Sequence, residues 1–77
     1  MPRVDKEWQE RVKNVLKAEL ARRNVSYKEL ADRLKAIGVK DTERNISNKI
    51  SRGTFTAAFF IQCLDAIGCH TLHLNGE

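Results

Sequence analysis

The stretch ERNISNKISRG, residues 43–53, decides how this chain folds, because its only two large apolar residues lie one helical turn apart. At 100° per residue, Ile46 and Ile50 define one inward-facing edge of a helix. The opposite face carries only polar and basic side chains: Arg44, Asn45, Asn48, Ser51 and Arg52. A helix face that serves only solubility normally mixes both charge signs, and this one has no carboxylate. The pattern therefore favours a polyanionic partner against this face.

The composition is that of a small soluble globular domain, with 42% hydrophobic and 31% charged residues among 77. A chain of this length forms one domain and buries only about 60% of the surface that it exposes when unfolded. No apolar run approaches the ~20 residues of a membrane span, and the first residues lack the features of a secretory signal. We therefore expect a cytoplasmic protein, in which Cys63 and Cys69 are reduced thiols rather than a disulfide framework.

The net charge of +4 is unevenly distributed along the chain. Between Arg11 and Lys40 there are nine Lys and Arg residues, against only three acids, Glu19, Glu29 and Asp32. A basic balance of this kind suits a polyanionic partner and speeds the encounter with it, although it says nothing about the fold.

The first two helices are predicted from apolar spacing and from capping residues. The first covers about residues 5–23, and its inward sector also contains Glu19, which must lie at an exposed edge or beside a cationic partner. The second covers about residues 27–37. It begins with a capping box, in which Ser26 and Glu29 satisfy the first free amides, and Gly38 ends it.

A connector of residues 38–42 leads to the third helix, residues 43–52. Either Asp41 or Thr42 is its expected N-cap, and Gly53 ends it.

The fourth helix, residues 57–67, follows a Thr56 cap and is apolar around most of its circumference. We expect one broad face of it to fill the core together with the apolar face of the first helix, which includes Trp8. The core residues predicted from the fourth helix are Ala57, Phe60, Ile61, Leu64 and Ile67. Phe59 and Ala66 are placed at its margin, exposed or in contact with a second subunit.

The tail after the fourth helix alternates in polarity over CHTLHL, residues 69–74, which is the period of a short β-strand. A single strand needs a pairing partner, so we expect a homodimer that associates through Phe59, Ala66 and the tail from His70 to Leu74.

Helices in this order, with a polar-faced third helix braced by its neighbours, are typical of a helix-turn-helix domain. Several motifs carry a closer likeness: ELADRL at 29–34, the pair Ile46 and Ser47, the glycine after the third helix, and LDAIG at 64–68. Through these motifs, residues 22–68 resemble the lambda-repressor-like, Cro/C1-type DNA-binding family. The resemblance implies an all-α, four-helix domain that binds double-stranded DNA and acts as a bacterial or phage-type transcriptional regulator.

The chain departs from this family at two places. Ala31 and Gly38 are seven residues apart, where the family has about four, so the second helix and the turn are both longer. Ile50 occupies a position at which the family often has a Glu. The third helix is therefore expected to dock on DNA at an angle that differs from the usual angle in the family. The stretch RGTFTAAFFIQCL, residues 52–64, also resembles small uncharacterised bacterial domains, which implies no function.

The resemblance assigns tasks to the outward residues of the third helix. The expected base contacts come from Arg44, Asn45, Ser47 and Asn48. Asn48 suits bidentate pairing with adenine, and Arg44 suits guanine. The expected phosphate contacts come from Ser26, Tyr27, Lys28, Lys49 and Arg52.

Two other interpretations of the same residues remain open. The polar face could be an ordinary solvated surface, or the domain could be a protein-interaction module that docks a partner through Phe59, Ala66 and the tail. Sensitivity of binding to salt distinguishes DNA from an apolar docking surface.

An enzyme, a cofactor, a membrane partner and a small-molecule substrate are not expected, because no Gly-rich phosphate loop and no pair of carboxylates in an apolar context is present. The spacing of Cys63, Cys69, His70 and His73 matches no familiar zinc pattern, so we expect no metal site.

Overall fold

The computed structural model describes residues 2–72 of the chain, and side chains from residue 5 onward. It contains four helices: α1 (Pro2–Arg22), α2 (Tyr27–Ala36), α3 (Glu43–Arg52) and α4 (Ala57–Ala66). Both α1 and α2 pack against α3 and against α4. The all-α prediction is confirmed, and the predicted helix bounds are correct to within three residues. None of the described helices combines the length and the apolarity needed to cross a membrane.

A hydroxyl side chain caps the start of each of the three short helices. The Ser26 Oγ accepts the N–H of Glu29 at 3.1 Å, the Thr42 Oγ1 that of Asn45 at 3.0 Å, and the Thr56 Oγ1 that of Phe59 at 3.0 Å. Thr42, rather than Asp41, is therefore the N-cap of α3. Only one half of the predicted capping box of α2 forms, the hydrogen bond to Ser26. The Glu29 carboxylate instead accepts a hydrogen bond from Arg33 Nε at 3.0 Å.

The core lies between the four helices and is built almost entirely of aliphatic side chains. Its buried members are Leu16, Leu20, Val25, Leu30, Leu34, Ile46, Ile50, Phe59, Cys63, Leu64 and Ile67. Ile46 and Ile50 are completely inaccessible to solvent. Burial of each contributes about 1.5–3 kcal/mol to the stability of the fold. Cys63 packs here as a free thiol, as predicted.

The predicted core face of α4 is correct for Leu64 and Ile67, which are buried, but wrong for Ala57 and Ile61, which are exposed. Phe59 is buried instead, with 5% of its surface exposed, whereas Ile61 is 60% exposed. Phe55 packs edge-on against Phe59, with ring centroids 5.6 Å apart. Phe59 therefore cannot contribute to a dimer surface, and Ala66 is partly buried against the core.

The predicted core position of Trp8 is also wrong, since 58% of its surface is exposed. Trp8 does not enter the core but lines an open groove with Val12 and Phe60. Its ring packs instead against Arg11, whose guanidinium carbon lies 5.5 Å from the ring centroid.

Glu19 is buried, with 1% of its surface exposed, and its cationic partners are Arg22, the last residue of α1, and Arg23, which follows it. The Arg22 guanidinium donates to Oε2 at 2.6 Å, and the Arg23 guanidinium donates to Oε1. Burial by itself would raise the pKa of Glu19, but the hydrogen bonds from Arg22 and Arg23 outweigh it and lower that pKa below its usual range.

Gly53 ends α3 in the left-handed conformation, with φ of +68°. A Cβ atom at this position would lie 2.6 Å from the backbone oxygen of Gln9 in α1, which is closer than real Cβ atoms approach. The absence of a side chain therefore allows the end of α3 to approach the backbone of α1.

The predicted strand is absent from the described part of the tail, residues 69–72. After Gly68, the Cys69 N–H donates to the Leu64 carbonyl at 2.9 Å and closes the end of α4. Cys69 and Leu72 then pack against the core, so these residues extend the cap of α4 instead of forming an edge strand. The remaining predicted strand positions, His73 and Leu74, lie outside the described residues.

The substitution Gly53→Ala should lower the free energy of unfolding by about 2–4 kcal/mol, because it adds both left-handed strain and a clash with the Gln9 backbone. Gly38→Ala is the matched control, since Gly38 has φ of +87° but open space around its missing Cβ. The control should cost only about 1–2 kcal/mol. Urea unfolding measures the free energy of unfolding of both variants. Equal decreases in the two variants would contradict the close approach of Gly53 to the Gln9 backbone.

The substitution Glu19→Gln should lower the free energy of unfolding at neutral pH by about 1–3 kcal/mol, because it removes two charge-assisted hydrogen bonds at a buried position. The lowered pKa means that the contribution of Glu19 is complete above its unfolded pKa of about 4.3 and disappears as the pH falls through its folded pKa. The difference between the wild type and the variant should therefore shrink on acidification. Urea unfolding between neutral and strongly acidic pH measures it, and a difference that is constant throughout would contradict this account.

Candidate nucleic-acid interface

The outward face of α3 carries the predicted polar residues, and the structure exposes them together. Arg44, Asn45, Asn48, Ser51 and Arg52 are all exposed, on the side opposite the two buried isoleucines. Ser47, a further predicted base contact, is half-buried at the edge of this face. We call the five exposed residues the α3 face.

Two side chains of the α3 face are free to bind a ligand. Within the part of the chain that the structure describes, the side chains of Arg44 and Asn48 make no hydrogen bond and no ion pair. The Asn48 backbone carbonyl accepts from Arg52 Nε at 3.3 Å, which directs the Arg52 side chain back along the helix. The central donors of the face are therefore available, because no internal partner competes for them.

Lys49, which we expected to contact phosphate, is paired with a carboxylate of the protein. Its ammonium lies 2.6 Å from Asp41 Oδ2 and 4.6 Å from the centroid of the Phe59 ring. Burial would raise the pKa of Asp41, but the hydrogen bond from Lys49 and that from the Thr42 N–H outweigh it and lower that pKa. Lys49 thus joins α3 to the connector and to α4, and we leave it out of the proposed phosphate contacts.

Two of the predicted phosphate contacts at the start of α2 line a groove that contains no residue of α3. Ser26 and Tyr27 line a groove of about 340 Å³ with Lys17 and other residues of α1 and of the turn after it. The Ser26 hydroxyl is occupied by capping, whereas Lys28 is exposed. Any contact that these residues make with DNA would therefore be separate from the contacts that the α3 face makes.

A second groove adjoins the start of α3 and contains two lysines that the sequence analysis did not single out. Its volume is about 340 Å³, and its lining residues are Lys35, Lys40, Asp41, Thr42 and Asn45. Lys35 belongs to the last turn of α2 and Lys40 to the connector. Sequence spacing could not place them beside Asn45, because their positions depend on the path of the connector.

The connector, residues 37–42, follows a path that backbone hydrogen bonds define. The Gly38 N–H donates to the Lys35 carbonyl at 3.0 Å, and the Val39 N–H donates to the Leu34 carbonyl at 2.9 Å. Gly38 has φ of +87°, as this helix ending requires, and Val39 packs against the core. The longer turn that distinguishes this chain is thus an anchored segment that carries Lys40 to the groove.

No three His, Cys, Asp or Glu side chains among the described residues lie close enough together to share a metal ion. Burial raises the pKa of the Cys63 thiol to about 12, so this cysteine remains protonated in the core. His73, one of the residues weighed as a metal ligand, lies outside the described residues.

One protein family is similar to this chain over most of its length. The family model, described as a domain of unknown function (DUF6471), matches residues 8–72, from the first half of α1 to the tail after α4. Searches of curated proteins and of solved structures found no match. The extent of the family match covers the whole core, and the chain therefore belongs to the DUF6471 family.

Proposed function

We propose that this protein binds double-stranded DNA and that α3 is the element that enters the major groove. The observation that carries the proposal is the two-sided character of α3, whose two apolar residues are fully buried while Arg44 and Asn48 are exposed without internal partners. The single acid of the helix, Glu43, lies at its first residue and outside the α3 face. Such a face is complementary to a polyanion that also presents base edges.

The size of α3 and the distribution of charge both support this proposal. A ten-residue helix is about 15 Å long and fits a groove about 12 Å wide and 8.5 Å deep. All 14 Lys and Arg residues precede Gly53, so α4 carries no basic side chain. The positive field is therefore strongest on the side of the domain formed by the first three helices, and it would steer DNA there.

Each residue of the α3 face has a role that follows from its chemistry. Arg44 is suited to bidentate pairing with guanine and Asn48 to pairing with adenine, and each good pair discriminates by about 1–3 kcal/mol. Asn45 and Ser47 flank them and supplement base contact. Arg52, at the end of the helix, contacts phosphate.

A small sequence-specific DNA-binding domain of this kind would act as a transcriptional regulator in the cytoplasm. Lys28 and the backbone amides at the start of α2 would contact a DNA phosphate outside the major groove that α3 enters.

The double substitution Arg44→Ala/Asn48→Ala should abolish sequence preference while weak, salt-dependent DNA binding remains, because the base contacts are lost and the other cations are kept. The preferred DNA site is identified first, by selecting from a pool of random duplexes those that the wild-type protein binds. Fluorescence anisotropy then compares the preferred and a scrambled duplex. The ratio of the affinity for the preferred duplex to that for the scrambled duplex should be at least about 30-fold for the wild type. It should be near one for the double variant, because two base contacts are lost.

Ala58→Glu is the matched control for this experiment, because it makes the same one-unit change in net charge on the exposed side of α4. It should preserve the sequence preference. Retention of the preference by the double variant would refute the assignment of Arg44 and Asn48. Failure of the wild type to bind any duplex at low salt would refute DNA binding and favour the protein-interaction alternative.

The expected homodimer needs a different surface from the one predicted, because Phe59 is buried. An apolar groove of about 320 Å³ lies between α1 and α4, with Trp8, Val12 and Phe60 in its lining. The proposed occupant is a second copy of the chain. Paired helix-turn-helix domains bind two half-sites about one DNA turn apart, and one α3 gives too small a footprint for tight specific binding.

Light scattering should therefore give twice the monomer mass for the wild type at high concentration and the monomer mass for Trp8→Ala, which removes the largest exposed apolar side chain of the groove. Ile37→Ala removes another exposed apolar side chain, at the end of α2, and should leave the dimer intact. A wild type that is monomeric at all concentrations would exclude the dimer without excluding DNA binding.

A further inference from the structure

The groove between α2, the connector and α3 has walls from three different parts of the chain. Lys35 projects from the last turn of α2, Lys40 from the connector, and Asn45 from the first turn of α3. Both lysines are exposed, and neither has a carboxylate partner among the described residues. The groove thus holds two uncompensated positive charges next to the α3 face.

The only acid in the lining of this groove does not cancel that charge. The Asp41 side chain is 8% exposed, and the Lys49 ammonium lies 2.6 Å from its carboxylate. Lys49, whose own side chain is 41% exposed, therefore neutralises Asp41, while Asp41 Oδ1 accepts the Thr42 N–H at 3.0 Å. The net charge that the groove presents to solvent is positive.

Cationic side chains lie near both ends of α3, although its own first residue, Glu43, is acidic. Lys35 and Lys40 lie at the start of the helix, and Arg52 is its last residue and is exposed. The helix between these cations is about 15 Å long, slightly more than the width of about 12 Å that separates the two phosphate backbones across a major groove. Cations at both ends would thus meet phosphates of opposite strands if α3 lay across the groove.

We infer that Lys35 and Lys40 bind the phosphate backbone of one DNA strand, while Arg52 contacts the other strand. This inference rests on the proposed function and adds to it the direction of docking, with α3 crossing the major groove from strand to strand. The anchored connector fixes Lys40 relative to α3, because Val39 packs against the core one residue earlier. The long turn is therefore a phosphate-contacting element, and it compensates for the absence of Lys49 from the DNA surface.

The test is the salt dependence of binding to a short mixed-sequence duplex, measured by fluorescence anisotropy between about 50 and 200 mM salt. For Lys35→Gln/Lys40→Gln, the slope of log Kobs against log salt concentration should fall by about two relative to the wild type. Arg52→Gln should lower it by about one. None of these changes should abolish the preference for the selected site, because phosphate contacts carry little sequence information.

Ala57→Glu/Ala58→Glu is the matched control, since it changes the net charge by the same two units at two exposed positions at the start of α4. Its slope should equal that of the wild type, and thermal unfolding should show that both double variants are folded. A Lys35→Gln/Lys40→Gln slope equal to the wild-type slope would overturn the inference and leave the proposed function standing. Equal decreases in the two double variants would also overturn it, because only net charge would then matter. Absence of any wild-type binding would overturn the proposed function itself.

Discussion

The burial of Ile46 and Ile50 is the interaction on which the rest of this structure depends. They are the only buried residues of α3, and both are fully enclosed between α1 and α2. Two further contacts fix the helix: Gly53 lies against the backbone of Gln9, and Lys49 pairs with Asp41. Because this edge is buried, the side chains on the opposite side of α3 are exposed to solvent, and the α3 face is a direct result of core packing.

The parts of the fold that local chemistry determines could be predicted from the sequence. Ser26, Thr42 and Thr56 cap their helices, and Gly38 and Gly53 end two of them, because capping and left-handed turns depend only on nearby residues. The α3 face could be predicted for the same reason, since two isoleucines among polar residues leave only one possible orientation.

The features that depend on how helices meet could not be predicted. The fourth helix is apolar almost all round, so its pattern could not decide whether Phe59 or Ile61 points inward. Trp8 shares the inward periodicity of α1 but is 58% exposed, because its burial depends on how far the neighbouring helices cover α1 and not on the pattern of α1 itself. The pairing of Lys49 with Asp41 and the position of Lys40 beside Asn45 could not be foreseen, because both depend on the path of the connector, in which Val39 packs against the core.

The domain thus has two surfaces of different character, a polar and basic one around α3 and an apolar one between α1 and α4. The proposed function assigns DNA to the first surface and a second copy of the chain to the second. The most direct test of this assignment is an NMR titration of the ¹⁵N-labelled protein with duplex DNA at low salt. The account predicts that the largest amide shift changes occur at residues 40–53 and in the last turn of α2. Changes centred on the Trp8 and Phe60 groove, or no changes at all, would contradict it.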